Sequence, residues 1–234
     1  MDNDNGYVES VPVAGDPSLM MWDEHNNSAL RYSIELKPLD TLVYWGCPWW
    51  QVWKPVNLGI QVMTWSRYVH TATYFYGGPG VYRSLVTDAT AGGIDVRPLS
   101  SDLLSKAKIS VYRYLDTRLH VDQWDLQAFV FKHWGPHTKY AVGKLLQEGW
   151  AEIAGGANKP DPIECPNRFI CSEWSSLLDR LFGKKHMPVV GEEVYVPLDP
   201  CPDIADRFTA PADYTDRTKS VLTCVEPNLR LINA

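Results

Sequence analysis

No apolar run in the sequence approaches the roughly 20 residues that a membrane-spanning helix needs, so no integral membrane segment is expected. The opening MDNDNGYVES has neither a basic stretch nor an apolar stretch of signal-peptide type, and no secretory signal is read there. A cytoplasmic protein is the default expectation, with association with a virion or release by lysis as routes that leave no such trace. Lysines and arginines are not gathered into a basic patch and the formal net charge is -6, so no nucleic-acid partner is expected. The five cysteines (Cys47, Cys165, Cys171, Cys201 and Cys224) contain no C-x-x-C pair, which argues against a zinc ribbon. Their odd number, without a signal, argues against a disulfide framework. His133 and His137 in HWGPH have the i, i+4 spacing of metal ligands, but Pro136 interrupts them and the accompanying Glu of H-E-x-x-H is missing. No metal and no cofactor are therefore expected.

What the chain has in quantity is aromatic residues, with 10 Trp and 12 Tyr in 234 residues. They serve a core or line a pocket for a flat or apolar group. Residues 1–35 are polar and aperiodic, and read as an N-terminal tail or docking arm. LVYW, ending at Trp45, is a short apolar strand. GCPWWQVWKPVNLGIQVMTW, with two prolines and four tryptophans, cannot be one long helix and is either a packed loop over 47–65 or the wall of a substrate groove. From 67 to 100 the sequence reads as a β-meander: TATYFY, a GGPG turn, VYRSLVTDA, an AGG turn, and IDVRPLS. KISVYRYLD is a fourth strand. Helices follow. Trp124, Leu126, Phe129, Val130 and Trp134 recur at roughly helical spacing, HTKYAVGKLLQEGW is a second helical stretch, and ICSEWSSLLDRLFG is the clearest helix. In that last helix Ile170, Trp174, Leu177, Leu178 and Leu181 recur at three and four, with Gly183 as the stop. The class is α+β.

Cys171 stands in the first turn of this last helix. Free backbone N–H groups and the helix dipole stabilise a thiolate there, and the same N–H groups suit an oxyanion. A thiol nucleophile needs a base and a group to orient that base. His70 heads the strand TATYFY, and Asp88 lies on the returning strand, where antiparallel pairing sets a carboxylate beside the imidazole. Taken singly, each of the three also has an ordinary structural explanation.

The order of these motifs resembles the circularly permuted papain-like amidases, the YiiX/YaeF-like branch of the NlpC-type superfamily, whose relatives include the lecithin:retinol acyltransferase-like enzymes. KPLDTLVYW stands at the family's opening Gly-Asp strand, with Leu39-Asp40 in place of Gly-Asp. SRYVHTATYF is similar to the histidine strand, LVTDATAGGIDV to the strand that usually carries Glu, and ISVYR to a "v-x-R" strand. RFICSEWSSLLDRLFG is similar to the nucleophile helix and VPLDPCPDIADR to the family tail. The resemblance implies a permuted papain-like catalytic domain over 36–207, an antiparallel meander or small barrel packed on helices, and a C-terminal extension over 208–234. It implies Cys171 as nucleophile, His70 as base and Asp88 as third member, with Ser172 and Glu173 read as helix-start residues. The activity implied is thiol cleavage of an amide or peptide bond, peptidoglycan stem peptides among the substrates. Two alternatives stand beside it: a thiol acyltransferase or lipase on acyl lipids, and a non-catalytic subunit of a phage tail or other assembly that meets its partner through the terminal extensions.

Overall fold

The structure is a computed structural model that describes residues 20–23, 28–46, 67–76, 84–90, 92–115, 119–136, 139–140, 168–189, 192–202, 213–218 and 220–233. In chain order its strands are β1 (Met20–Asp23), β2 (Ser28–Tyr32), β3 (Thr41–Trp45), β4 (Tyr68–Tyr76), β5 (Ser84–Thr90), β6 (Gly93–Pro98), β7 (Ile109–Arg113), β8 (Leu119–Val121), β9 (Lys139–Tyr140), β10 (Arg168–Phe169), β11 (Gly183–Val189), β12 (Glu192–Pro197), β13 (Thr223–Glu226) and β14 (Leu231–Asn233). The helices are α1 (Leu99–Leu104), α2 (Gln123–His133) and α3 (Cys171–Phe182). This is an α+β arrangement dominated by antiparallel pairing. Among the described residues no helix is long and apolar enough to cross a membrane.

The main sheet has six strands in the order β13-β7-β3-β4-β5-β6. The meander expected from 67 to 100 is β4-β5-β6, with β3 ahead of it. Among the described residues the sheet is open, with β13 and β6 at its edges, so a meander rather than a closed small barrel is what forms. β7 does not continue the meander beside β6. It returns to pair with β3 on the other side. The stretch IDVRPLS is a strand only as far as Pro98, after which α1 begins.

Both faces of this sheet are covered, which is why β3 and β5 read as nearly unbroken buried runs instead of alternating ones. One face packs Leu42, Tyr44, Ala72, Tyr74 and Val86 against Leu99 of α1 and against Tyr32, Leu36 and Leu229 from the two ends of the chain. The other packs Phe75, Leu85, Ala89 and Ile94 against Leu126 and Val130 of α2 and Trp174, Leu178 and Phe182 of α3. Of the expected N-terminal arm, 20–23 and 28–32 form β1 and β2, which join β14 in a three-stranded sheet. Of the expected C-terminal extension, β13 is the edge strand on β7. The ends are bound to the body by backbone pairing, and Tyr32 and Leu229 anchor them in its core.

Helix α2 buries Leu126 and Val130 but leaves Trp124 74% exposed and Trp134 51% exposed. Trp124 is two residues, about 200° of helix, from Leu126 and faces away from the sheet. Trp134 falls beyond the last helical turn. In α3 the stripe Trp174, Leu178 and Phe182 is buried, whereas Leu181 is exposed. A second stripe at i, i+3, i+4 and i+7 (Ser172, Ser175, Ser176 and Asp179) is polar and equally buried. Gly183 ends the helix as expected, through close approach rather than a left-handed cap. Its φ is -86°, and a Cβ there would lie 2.6 Å from the Asp179 carbonyl oxygen.

The expected Trp-rich loop 47–65, the GGPG turn, the Gly/Pro loop before β10 and most of the stretch HTKYAVGKLLQEGW lie outside the described residues. The described part of that stretch, Lys139–Tyr140, is a short strand parallel to β10.

Candidate active site

His70 is the third residue of β4 and lies directly opposite Tyr44 of β3. The β4–β5 register pairs Thr73 with Thr87. One step further along it Asp88 faces Ala72, which makes Asp88 a diagonal neighbour of His70 on the same face. Such diagonals are within reach of long side chains. His70 Nε2 is 2.6 Å from Asp88 Oδ2. The same parity continues onto β6, where Arg97 pairs with Val86 and Asp95 with Asp88. Arg97 Nη2 lies 2.8 Å from the same Asp88 Oδ2.

Cys171 opens α3, which packs against β4 and β5. The thiol is hydrogen-bonded to His70. With Nε2 turned to Asp88, the ring nitrogen left for the thiol is Nδ1. Thiol, imidazole and carboxylate are thus brought together from a helix start and two neighbouring strands. Glu173 caps the same helix start: its Oε2 accepts the Ile170 N–H at 3.0 Å. The Tyr214 hydroxyl donates to the Ser172 carbonyl at 2.9 Å. Ser172 and Glu173 therefore shape the helix entry, as read from the sequence.

Asp88 is fully buried, the His70 side chain is 25% exposed, and Cys171 is 2% exposed. Burial alone would push the Cys171 thiol up, but the His70 charge and hydrogen bond hold it below the ordinary thiol range. Burial works against charging His70, and the Cys171 and Asp88 anions outweigh it, so the imidazole is pushed up to about 10. Asp88 likewise resists burial and stays below the usual carboxylate range because His70 and Arg97 flank it. Both shifts favour a thiolate facing an imidazolium, in low-dielectric surroundings that strengthen their attraction.

The three sequence-read residues are brought together. Tyr44, Arg97 and Asp102 were not singled out from the sequence, yet they join the same cluster. The Tyr44 ring meets the His70 ring edge-on at 5.4 Å, and its hydroxyl donates to Asp102 Oδ2 at 2.6 Å. Arg97 Nε donates to Asp102 Oδ1 at 2.9 Å. The available signal was alternation: in the paired strands β5 and β6, Asp88, Asp95 and Arg97 share one face.

Arg113 of β7 holds the turn ahead of β3. Its Nε and Nη2 bind Asp40 Oδ1 and Oδ2, each at 2.7 Å. Leu39 in that turn carries a left-handed φ of 67°. Its buried side chain packs with Phe75 and Leu85.

Among the described residues no group of three or more His, Cys, Asp or Glu side chains is placed to hold a metal ion. His137 lies outside those residues. Cys201 is buried and Cys224 partly buried, and both are unbonded to another cysteine. Burial pushes the Cys201 thiol up to about 12, the opposite of Cys171. No protein-family model matches the chain, and no curated protein matches it in sequence.

Proposed function

We propose that this chain is a cysteine hydrolase with a permuted papain-like fold, cleaving an amide or peptide bond with Cys171 as nucleophile, His70 as acid and base, and Asp88 as the group that orients His70. The observation that carries this reading is the grouping of Cys171, His70 and Asp88, with the thiol at a helix start and a 2.6 Å contact between His70 and Asp88. A buried Cys with only a packing role has no need of a charged partner, and its thiol would shift up, as that of Cys201 does.

The chemistry follows from the parts. The Cys171 thiolate attacks the carbonyl carbon, a C–S bond forms, and the carbonyl π pair moves to oxygen. Backbone N–H groups in the first turn of α3 stabilise that oxyanion. The intermediate collapses, the C–N bond breaks, and the His70 imidazolium gives its proton to the leaving nitrogen. Neutral His70 then takes a proton from water as that water attacks the thioester. The second intermediate collapses, the C–S bond breaks with its electron pair returning to sulfur, the acid product leaves and the thiolate–imidazolium pair is restored. Asp88 stays ionised throughout and keeps Nδ1 aimed at the sulfur. Peptidoglycan stem peptides are the substrate class to try first.

The test has two arms. A small alkylating reagent at pH 7, followed by peptide-resolved mass spectrometry, should modify Cys171 faster than Cys47, Cys165, Cys201 or Cys224, and His70→Ala should remove the difference. Peptide amides should be cleaved with gain of one water, and Cys171→Ala should abolish this. Equal labelling of all five cysteines with no turnover would favour the non-catalytic reading.

A further inference from the structure

Asp88 receives two donors on a single oxygen, His70 Nε2 at 2.6 Å and Arg97 Nη2 at 2.8 Å. Its other oxygen, Oδ1, is buried and has no hydrogen-bond partner among the described residues. One anionic oxygen is therefore shared by two cations in a fully buried position. Arg97 itself is fixed at two further points, Nη1 on Asp95 Oδ2 at 3.1 Å and Nε on Asp102 Oδ1 at 2.9 Å. Asp102 is in turn bonded by the Tyr44 hydroxyl, and the Tyr44 ring lies against His70. The contacts close on themselves: His70, Asp88, Arg97, Asp102, Tyr44 and back to His70. They span five consecutive elements of the sheet face and α1.

We propose that Arg97 is a positioning residue of this site, which pins the Asp88 carboxylate and, by occupying the oxygen that His70 uses, limits how strongly Asp88 stabilises the imidazolium charge. The reason is chemical. A general acid must release its proton to the leaving group, and an imidazolium facing an unshared, dehydrated carboxylate would keep it. A second cation on the same oxygen disperses that negative charge. It also prevents the carboxylate from rotating Oδ1 towards the ring, because Oδ2 is held from both sides. Arg suits the role because its planar fork serves three carboxylates from three nitrogens at once.

This inference rests on the hydrolase reading for its purpose, but its test does not require turnover. The His70 ring is followed by NMR through a pH titration of the substrate-free protein, assigned by comparison with His70→Gln. The groups facing the ring are Cys171, Asp88, Tyr44 and, through them, Arg97, Asp95 and Asp102. In Arg97→Gln the midpoint of His70 should rise by about one unit, because a full charge on its partner is no longer shared. In Arg97→Lys it should rise by about half as much. The compact, strongly hydrated ammonium will go to the wetter Asp95 and Asp102 and leave Asp88 to His70. Arg97→Lys keeps the charge balance, so the question stays answerable if Arg97→Gln does not fold.

An unchanged or lowered midpoint in the folded variants overturns the proposal, since a purely structural arginine would not move it upward. If the midpoints rise but no amide is cleaved by the wild-type protein, the hydrolase reading fails and the role of Arg97 stands. If amides are cleaved and the midpoints do not rise, the reverse holds.

Discussion

His70 and Asp88, eighteen residues apart in sequence, meet diagonally across β4 and β5 with Nε2 2.6 Å from Oδ2. Because Asp88 is fully buried, the pair acts as one unit whose charge is balanced from the Cys171 side. Asp88→Asn keeps the shape and removes the anion. The titration of His70 should fall from about 10 towards its ordinary value by one unit or more. The pH at which the imidazolium is lost, and with it the partner of the Cys171 thiolate, should move down by the same amount. Rate against pH, read on the Cys171 peptide, checks this.

The thiolate–imidazolium pair also predicts how stability depends on pH. His70 is raised in the folded state, so its contribution is full below its ordinary value and is lost as pH rises through about 10. Cys171 is lowered, so its contribution is present above the ordinary thiol range and is lost as pH falls through its folded value. The pair is therefore formed in the window between these limits. His70→Gln should destabilise the protein at pH 7, and the gap to wild type should narrow as pH passes about 10. Denaturant midpoints measured at pH 7 and at about pH 10.5 suffice.

Asp179 sits two turns along the helix from Cys171, in its buried polar stripe, with neither carboxylate oxygen hydrogen-bonded among the described residues. Burial, then the charges of Asp199 and Asp40, raise it well above the usual carboxylate range. A raised acid is at its most favourable below its unfolded value and becomes a liability as pH climbs through the folded one. Wild-type stability should therefore decline over that rise, while Asp179→Asn should be flatter and more stable at pH 8. The gain should be about 1–3 kcal/mol, the cost of an unmet buried polar group, or a few degrees in Tm for a chain of this size. A Tm below wild type at pH 8 would contradict this account.

Asp40 and Arg113 form a two-point ion pair that fixes the turn ahead of β3, and Asp40 is buried. Arg113→Met leaves that carboxylate unpaired and should cost about 3 kcal/mol. Leu39 in the same turn pits two effects against each other. Leu39→Gly relieves a left-handed backbone that costs Leu roughly 1–2 kcal/mol. It also removes a buried side chain worth about 2–5 kcal/mol. Lost packing is the larger, so Leu39→Gly should lower stability despite freeing the backbone. Thermal denaturation of both variants tests the pair and the turn together.

The parts of the site legible in the sequence are those set by local order. A helix start is written in neighbouring residues, and ICSEW carries both the Cys171 thiol and, in Glu173, the cap on the Ile170 N–H. The strands that carry His70 and Asp88 are short β-rich runs separated by turn signals, and antiparallel neighbours place side chains by simple parity. Arg97 was hidden because IDVRPLS reads as one strand, whereas the chain turns into α1 at Leu99 and brings Asp102 back onto the arginine.

The sequence by itself determined the α+β class, the thiol at a helix N-terminus and the histidine and aspartate on adjoining strands, because each follows from periodicity, turn residues and spacing within a few tens of residues. Only the tertiary structure decided that β7 pairs with β3 and β13 with β7, that residues 28–32 and 223–233 belong to the folded body, that Asp179 lies in a buried polar stripe, and that Tyr44, Asp102 and Arg97 close a ring around the His70–Asp88 pair. These depend on contacts between residues far apart in the chain. Such contacts form only when burial over the whole sheet repays the entropy of bringing those segments together.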